Sequence, residues 1–368
     1  MQKKMFLTIF SSLLLCAMVA SCNVNGNVTG SKITEGDSGD KETGEDDIAK
    51  EETTSNEKYS IDKYKKTMYY HDDFKILWLT DLHFGNPTNT KDYDEIKEYI
   101  HLKEMIDEAG TVDLIMLTGD VFDGETEAQI DTFVSFIDGF NTKWAFTFGN
   151  HDLETMVDNP FYINNKIMES KNAVYVDYED DEIDGYTNYY INLVSNNKNI
   201  YRLYLVDSNA NKPTGAGGDS VYDIIHDNQL DHLALINKTE NDSAPGLAFF
   251  HIPLREYNNA YIGYTASPQV YAGQGEKREY AGFGYKNNGA YRIMQENGVI
   301  GTFVGHAHNN DFDIDYFDDN NHMEMSFGLK GTDLNYNDGD LIGYKIITLP
   351  NDPGSFDHTC IKEYKKGY

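Results

Sequence analysis

The chain has 368 residues, and 30 Lys and Arg against 61 Asp and Glu give it a formal charge of −31. Surfaces that bind duplex nucleic acid or anionic membranes need clustered cations, so this charge argues against both. With 40% hydrophobic and 13% aromatic residues, the composition is typical of a folded globular protein rather than a disordered acidic chain.

The first 22 residues predict an export signal. Lys3 and Lys4 precede an apolar run over residues 5–20, which is short for a membrane-spanning helix of about 20 apolar residues. The run ends in small residues directly before Cys22, an arrangement that resembles the lipobox of bacterial lipoproteins. We therefore expect a signal peptide over residues 1–22 and export to the bacterial cell envelope, with lipid on Cys22 as the membrane anchor. An ordinary secretory signal and an uncleaved anchor are the alternatives.

Residues 23–60 predict a flexible acidic tether. They consist mainly of Gly, Ser, Thr, Asn and acidic residues, which cannot bury enough apolar surface to offset the entropy of ordering. The segment holds ten acids and four lysines, so most of the negative charge belongs to the domain that we expect over residues 61–368.

From about residue 72 the hydrophobic pattern predicts alternating strands and helices. Short apolar runs over residues 74–79, 112–117 and 144–148 indicate buried strands. Between them, apolar residues recur at helical spacing over 96–106 and 130–140. This alternation is typical of βαβ units with a parallel sheet, and it assigns the fold to the α/β class.

The second half of the domain is less regular. Residues 189–194 and 201–206 indicate a strand pair across a polar loop, and 230–236 indicate a helix. Further strands are expected over residues 247–250, 299–304, 323–327 and 341–349. The stretch 256–289 is rich in Tyr, Gly and Asn and predicts a loop insertion near the functional face.

Polar motifs follow five of these predicted strands. The motifs are Asp81-Leu82-His83, Gly119-Asp120-Val121-Phe122-Asp123, Gly149-Asn150-His151-Asp152, His251 and Gly305-His306-Ala307-His308. Ligands bind at the carboxyl ends of strands in open α/β sheets, so we expect these loops to converge on one crevice. The spacing of two within Asp81/His83 and His306/His308 points both side chains of a pair to one side of an extended backbone.

The residue types in these motifs suit divalent transition metals, which bind carboxylate, imidazole and amide oxygen. Seven candidate ligands exceed the needs of one ion and favour two: Asp81, His83, Asp120, Asn150, His251, His306 and His308. Two ions about 4 Å apart can activate a bridging water for attack on phosphorus. Taken singly, Asn150 could belong to a turn or helix cap, and His251 could be a hydrogen-bonded core histidine. The order of the motifs, each after an apolar run, favours a common site.

Taken together, the motifs resemble the calcineurin-like metallophosphoesterase superfamily over about residues 72–330, and the sequences around His251 and His306 look like a branch related to purple acid phosphatases. The resemblance implies a two-sheet β-sandwich flanked by helices, with a dimetal site at strand carboxyl ends. It also implies metal-dependent hydrolysis of phosphate esters with a metal-bridging hydroxide as nucleophile.

The same resemblance implies a role for each residue. Six ligands divide between the two ions: Asp81, His83 and His308 for one, and Asn150, His251 and His306 for the other. Asp120 would bridge the ions. His151 would contact the phosphoryl oxygens or protonate the leaving group, and Asp123 would orient His151 and raise its pKa.

Three positions depart from particular branches of the superfamily. True purple acid phosphatases have glycine at the position of His83 and a metal-binding tyrosine at that of Asp123. We therefore expect no iron–tyrosinate colour, and Mn, Fe and Zn are all candidate metals. Protein phosphatases of the superfamily carry arginine where this chain has Gly124, which weakens that assignment.

Three functions are open on these grounds. The first is a lipid-anchored phosphoesterase that acts on small phosphate esters. The second is a surface binding lipoprotein on a retired phosphoesterase fold, with the stretch 256–289 as its rim, although a complete ligand set argues against it. The third, a nuclease or other phosphodiesterase of long polyanions, is disfavoured by the charge. We assign no function to the other histidines, and we expect His101, beside Glu98 and Glu104, to lie on a solvated helix face.

Overall fold

The described residues form two mixed β-sheets with flanking helices. The computed structural model describes residues 60–85, 95–154, 160–176, 183–267, 271–318, 321–333, 341–350 and 360–365, all within one unit, Asn56–Tyr368. The expected signal peptide and all but the last residue of the expected tether lie outside the described residues. Within the described ranges, no helix combines the length and the apolar character needed to cross a membrane.

The strands are numbered in chain order. They are β1 (Lys65–Tyr69), β2 (Phe74–Leu79), β3 (Leu114–Thr118), β4 (Lys143–Thr147), β5 (Asn188–Ser195), β6 (Lys198–Val206), β7 (Gly246–Phe249), β8 (Gly273–Gln274), β9 (Val299–Val304), β10 (Asp313–Asp318), β11 (Asn321–Phe327), β12 (Gly343–Leu349) and β13 (Cys360–Lys365). The α-helices are α1 (Glu95–Ala109), α2 (Glu127–Asp138), α3 (Pro160–Glu169), α4 (Asp227–Glu240), α5 (Glu256–Ala266) and α6 (Ala290–Glu296). Short 3₁₀ turns cover Ile61–Tyr64 and His151–Leu153.

The five-stranded sheet contains the predicted βαβ units. Its order is β13-β12-β2-β3-β4, and β2, β3 and β4 run parallel, with Leu77 paired to Ile115 and Ile115 to Trp144. These strands are buried along nearly their whole length, which explains their continuous apolar runs. Helix α2 begins at a capping box formed by Thr126 and Gln129.

The eight-stranded sheet has the order β1-β5-β6-β7-β9-β11-β10-β8. Its central strands β6, β7, β9 and β11 are parallel, whereas β5 pairs with β6 and β10 with β11 in antiparallel fashion. The sheets pack face to face: Trp78 of β2 meets Phe303 of β9 edge-on at 5.3 Å, and Phe303 stacks on Phe249 at 4.8 Å. The expected two-sheet architecture is confirmed.

The prediction of a loop over 256–289 is wrong for residues 256–266, which form α5, whereas most of the described residues after them form no helix or strand. The helix buries Tyr257 and Ala260, and the Tyr257 hydroxyl donates to the carbonyl oxygen of Thr302. Its buried face therefore uses a tyrosine with a satisfied polar tip, which a search for aliphatic periodicity does not register. Strands β1, β8, β10 and β13 were also not expected; they are polar or very short.

Helix α1 occurs where predicted, but only part of its predicted apolar face is buried: Ile106 is buried and Tyr99 packs against the core. Ile96 and Ile100 are 73% and 51% exposed, whereas Glu98, Leu102 and Met105 are buried. His101 lies beside this inner face with its side chain only 19% exposed, so the expectation of a solvated His101 is wrong.

Candidate metal centre

The centre forms where β2, β3, β4, β7 and β9 end, and several of its residues lie in sharp turns. Asp81, His83, Asp120 and His306 have φ values of 54°, 51°, 50° and 78°. The expectation that each spaced pair lies on extended backbone is therefore wrong, although the side chains do converge. Each such residue costs about 1–3 kcal/mol and persists where the surroundings impose it, which is common at functional sites.

Two glycines allow the loops to approach one another. A Cβ on Gly149 would overlap the Oδ1 atom of Asp120, and a Cβ on Gly305 would overlap Oγ1 of Thr80 and Oδ2 of Asp81. Because the obstructing atoms belong to ligand side chains or their neighbours, both positions require glycine if the centre is to close.

One group of potential ligands consists of Asp81, His83 and His308. The Nε2 atoms of His83 and His308 are 3.0 Å apart, and His308 Nε2 is 3.3 Å from Asp81 Oδ1. All three side chains are buried. These separations are of the size found between neighbouring ligands of one ion with bonds of about 2.1 Å.

A second group consists of Asp120, His251 and His306. Asp120 Oδ2 is 2.9 Å from His251 Nε2 and 3.8 Å from His83 Nε2, so this carboxylate lies between the two groups. It occupies the position that a bridging ligand needs. The structure thus brings six of the seven predicted ligands into two adjoining buried clusters.

The seventh predicted ligand, Asn150, belongs to the loop after β4, and this loop contacts Asp120 of the loop after β3. The next residue, His151, donates its backbone N–H to Asp120 Oδ1 at 2.8 Å. The side-chain oxygen of Asn150 is buried and has no hydrogen-bond partner among the described residues. A buried amide oxygen without a donor costs about 1–3 kcal/mol, and a metal ion is one partner that would satisfy it.

Hydrogen bonds orient two of the imidazoles toward the centre. The Nδ1 atom of His251 donates to the carbonyl oxygen of Thr118 at 2.8 Å, so Nε2 is the ring nitrogen that faces Asp120 and the centre. His83 Nδ1 lies 3.1 Å from Asp123 Oδ2 and is held in the same way. Carboxylate or carbonyl support of this kind is usual for metal-bound histidines.

The electrostatics of the clusters also suit cations. Burial and the nearby charge of His251 lower the pKa of His306 to about 3, and burial and Lys330 lower that of His308 to about 4, so both rings are neutral. Burial alone would lower the pKa of His251, but Asp120 and Asp81 raise it to about 9. The two carboxylates therefore favour positive charge at this point, and the donor set fits two divalent ions.

His151 is the least buried histidine of the centre, with its side chain 29% exposed. Its Nδ1 atom lies 3.5 Å from Asp123 Oδ1, as expected. Glu154, which was not among the predicted site residues, is closer, with its Oε2 atom 3.0 Å from the same nitrogen. Burial opposes protonation, yet Asp123, Asp120 and Glu154 raise the pKa of His151 to about 10. Asp123 contacts both His151 and His83 through its two oxygens.

Two further buried residues support the ligand loops. The carboxylate of Asp152 accepts the backbone N–H groups of Asp120, Phe122 and Gly149 at 2.7–2.8 Å and so joins the loops after β3 and β4. Lys330 donates to the carbonyl oxygen of Asp81 at 3.0 Å. Asp152 stood inside a recognised motif, whereas nothing in the sequence around Lys330 indicated its position.

The rim of the centre includes residues distant in sequence. The Tyr222 ring meets His306 edge-on at 4.2 Å, and Gly282 also approaches this imidazole closely. Part of the stretch 256–289 thus reaches the functional face as expected. Arg255, in the same region, donates hydrogen bonds to Asp219 and to the carbonyl oxygen of Tyr285.

A two-sheet fold with buried His and Asp clusters at strand ends defines a metallophosphoesterase-like protein. The model of the calcineurin-like phosphoesterase family matches residues 74–310, and the chain belongs to this family.

Individual relatives agree with this placement. The chain is 28% identical over 276 residues to "Probable inactive purple acid phosphatase 29" of Arabidopsis thaliana, covering 65% of this chain and 68% of that protein. It is also 28% identical over 280 residues to "Probable inactive purple acid phosphatase 28" of the same plant, covering 66% and 68%. A dimetal phosphatase from Danio rerio has a TM-score of 0.53 at 12% identity, covering 80% of this chain and 96% of that chain, a likeness of fold alone.

Proposed function

We propose that the protein hydrolyses small phosphate esters with two divalent metal ions held by the seven predicted ligands. The observation that carries this proposal is the pair of buried ligand clusters on either side of Asp120, with the Asn150 side-chain oxygen left without a partner among the described residues. Bound there, two ions supply an activated water and neutralise charge on the phosphoryl oxygens. Mn, Fe and Zn all suit this mixture of oxygen and nitrogen donors.

The remaining chemistry falls to His151. Its imidazole is partly exposed beside the ligands, and the carboxylates of Asp123 and Glu154 favour its protonated form, so it can bind an anionic phosphoryl oxygen and give a proton to the departing alcohol. Asp123 and Glu154 hold the Nδ1 side of the ring, which leaves the Nε2 side for the substrate. Partial exposure of the ring is what such a role requires.

The charge and the N-terminal pattern support a setting for this activity. The formal charge of −31 on the chain repels long polyanions. Two divalent ions would make the centre itself locally positive, so that small phosphate esters could bind there. We propose that the protein is exported and anchored through lipid on Cys22. Metabolic labelling with a fatty-acid analogue should mark the wild-type chain but not Cys22→Ala, and equal labelling of both would contradict this anchor.

A second candidate function is binding without turnover. It is favoured by one observation, that two curated relatives carry the words "probable inactive" in their names. Against it, this chain keeps a full set of donors and a protonated imidazole beside them.

The deciding experiment uses the full chain, stripped with a chelator and reloaded separately with Mn²⁺, Fe²⁺ or Zn²⁺. Turnover is measured on an aryl phosphate monoester and on a diester, with metal content determined on the same sample. We expect at least one ion to restore hydrolysis, whereas His251→Ala should show none. His71→Asn, altered on the exposed surface, is the control and should match the wild type. Full occupancy without turnover of either ester would favour the binding function.

A further inference from the structure

A third group of metal-binding side chains lies outside the centre. It consists of Glu98 and His101 on α1 and Asp333, which follows β11, with one donor atom from each within 4.8 Å of the others. Glu98 and His101 are three residues apart, so they project from the same helix face. His101 Nδ1 and Glu98 Oε1 are 3.9 Å apart, within the span of two ligands that bind one ion at about 2.1 Å each.

The burial of Glu98 favours a bound cation at this group. Glu98 is 3% exposed, and its Oε2 atom has no hydrogen-bond partner within the described part of the chain. Asp333 brings a second carboxyl group against Glu98, and two carboxyl groups in contact at a buried position need a shared cation or proton. Lys97 also lies 3.8 Å from Asp333, with a side chain that is 53% exposed.

We propose that Glu98, His101 and Asp333 bind a divalent ion, of the Zn²⁺ or Mn²⁺ type, separate from the two ions of the phosphoesterase centre. Two carboxylates and an imidazole are a suitable donor set for such ions. Glu and His at positions i and i+3 of one helix are also the arrangement by which helical metal sites supply two ligands from a single turn.

The position of Asp333 gives this ion a structural role. The preceding residue, Thr332, donates its hydroxyl to the carbonyl oxygen of Leu82 at 2.5 Å, and Lys330 donates to that of Asp81. The segment 330–333 therefore supports the loop that carries Asp81. An ion shared with α1 would fix this segment from its other side and stabilise the folded chain.

The test counts ions on the full chain. Chelator-stripped protein is titrated with Zn²⁺ or Mn²⁺ and followed by calorimetry and elemental analysis, and the thermal midpoint is recorded with and without metal. We expect three ions per wild-type chain and one fewer in Glu98→Gln and in Asp333→Asn. Glu104→Gln, which removes an exposed carboxylate from the same helix, is the matched control and should keep all three.

A variant of the main centre separates this proposal from the proposed function. His251→Ala should lose ions from the centre but keep the one that depends on Glu98, and a crystal should show anomalous density at the third group. If Glu98→Gln does not fold, Asp333→Asn decides, since its side chain is 25% exposed and tolerates change more readily. Equal ion counts in wild type and Asp333→Asn, or no anomalous density there, would overturn the proposal.

Discussion

The two sheets contribute chemically different walls to the centre. The loops of the five-stranded sheet supply the carboxylates, including Asp81, Asp120 and Asp123, whereas those of the eight-stranded sheet supply imidazoles, His251, His306 and His308. One wall therefore balances the charge of the ions, and the other adds donors without adding charge. This division explains why both walls can be buried against each other without an excess of like charges.

The largest expected effect comes from removing charge at the point where the walls meet. Asp120→Asn should lower metal affinity by more than the roughly 10–100-fold that supporting residues contribute, because it removes an anion that both clusters share. His306→Ala, which removes a neutral ligand from the other wall, should lower it less. Calorimetric titration of both variants measures this, and equal losses would show that charge is not divided between the walls.

The next effect concerns the protonated imidazole of the carboxylate wall. His151→Ala should lower kcat by about 10²- to 10⁴-fold while the metal content stays unchanged, because the ring acts on substrate rather than on the ions. Glu154→Gln should have a smaller effect, since Asp123 still faces the ring. Steady-state kinetics with metal analysis separates the two. Retained activity in His151→Ala would remove this residue from the mechanism.

A smaller effect is expected from Lys330, which supports the loop that carries Asp81. Lys330→Met leaves the Asp81 carbonyl oxygen without its buried donor and should lower the free energy of unfolding by about 1–3 kcal/mol. Urea denaturation of metal-free protein measures this change. Lys103→Met, on the exposed face of α1, is the control and should change stability little. A loss of the same size in both variants would mean that the Lys330 hydrogen bond carries no special weight.

The smallest effect contrasts an imidazole outside the centre with His306 and His308 inside it, whose pKa values are lowered. A hydrogen bond that the His226 ring donates to Asp223, with Asp184 also in contact, raises the pKa of His226 to about 9, above an ordinary value near 6.5. The stabilisation that this charge provides is complete below about pH 6.5 and is lost as the pH rises through about 9. The free energy of unfolding of the wild type, measured from denaturation midpoints, should exceed that of His226→Gln by at most about 1 kcal/mol, because the pair is partly exposed. This difference should shrink over that pH range. A constant difference would contradict charged pairing.

The sequence was most informative where one physical signal dominated. Continuous apolar runs predicted β2, β3, β7 and β9 closely, and the polar residues after them proved to converge. Left-handed turns at Asp81 and Asp120 carry no such signal, because the surrounding loops impose them. Whether the converging residues bind metal in the assigned roles stays a prediction.

The misjudged elements share a different cause, since tertiary contacts decided them. Ile96 and Ile100 of α1 are exposed while Glu98 is buried, so the helix period was right and the predicted buried face was right only in part. The hydrophobic pattern did not predict helix α5, because its main buried residue is Tyr257, a tyrosine with a hydrogen-bonded hydroxyl. Lys330 could not be anticipated, because its partner is a backbone oxygen 249 positions away in the chain.

The glycine contacts described above have a consequence for the order of folding. Gly305, from the eight-stranded sheet, fits against Thr80 and Asp81 of the other, and Gly149 fits against His251 in the reverse direction. These contacts join residues far apart along the chain, and such long-range contacts are slow to form. We therefore expect the ligand geometry to form late in folding, so that metal uptake during refolding follows the burial of the aromatic core.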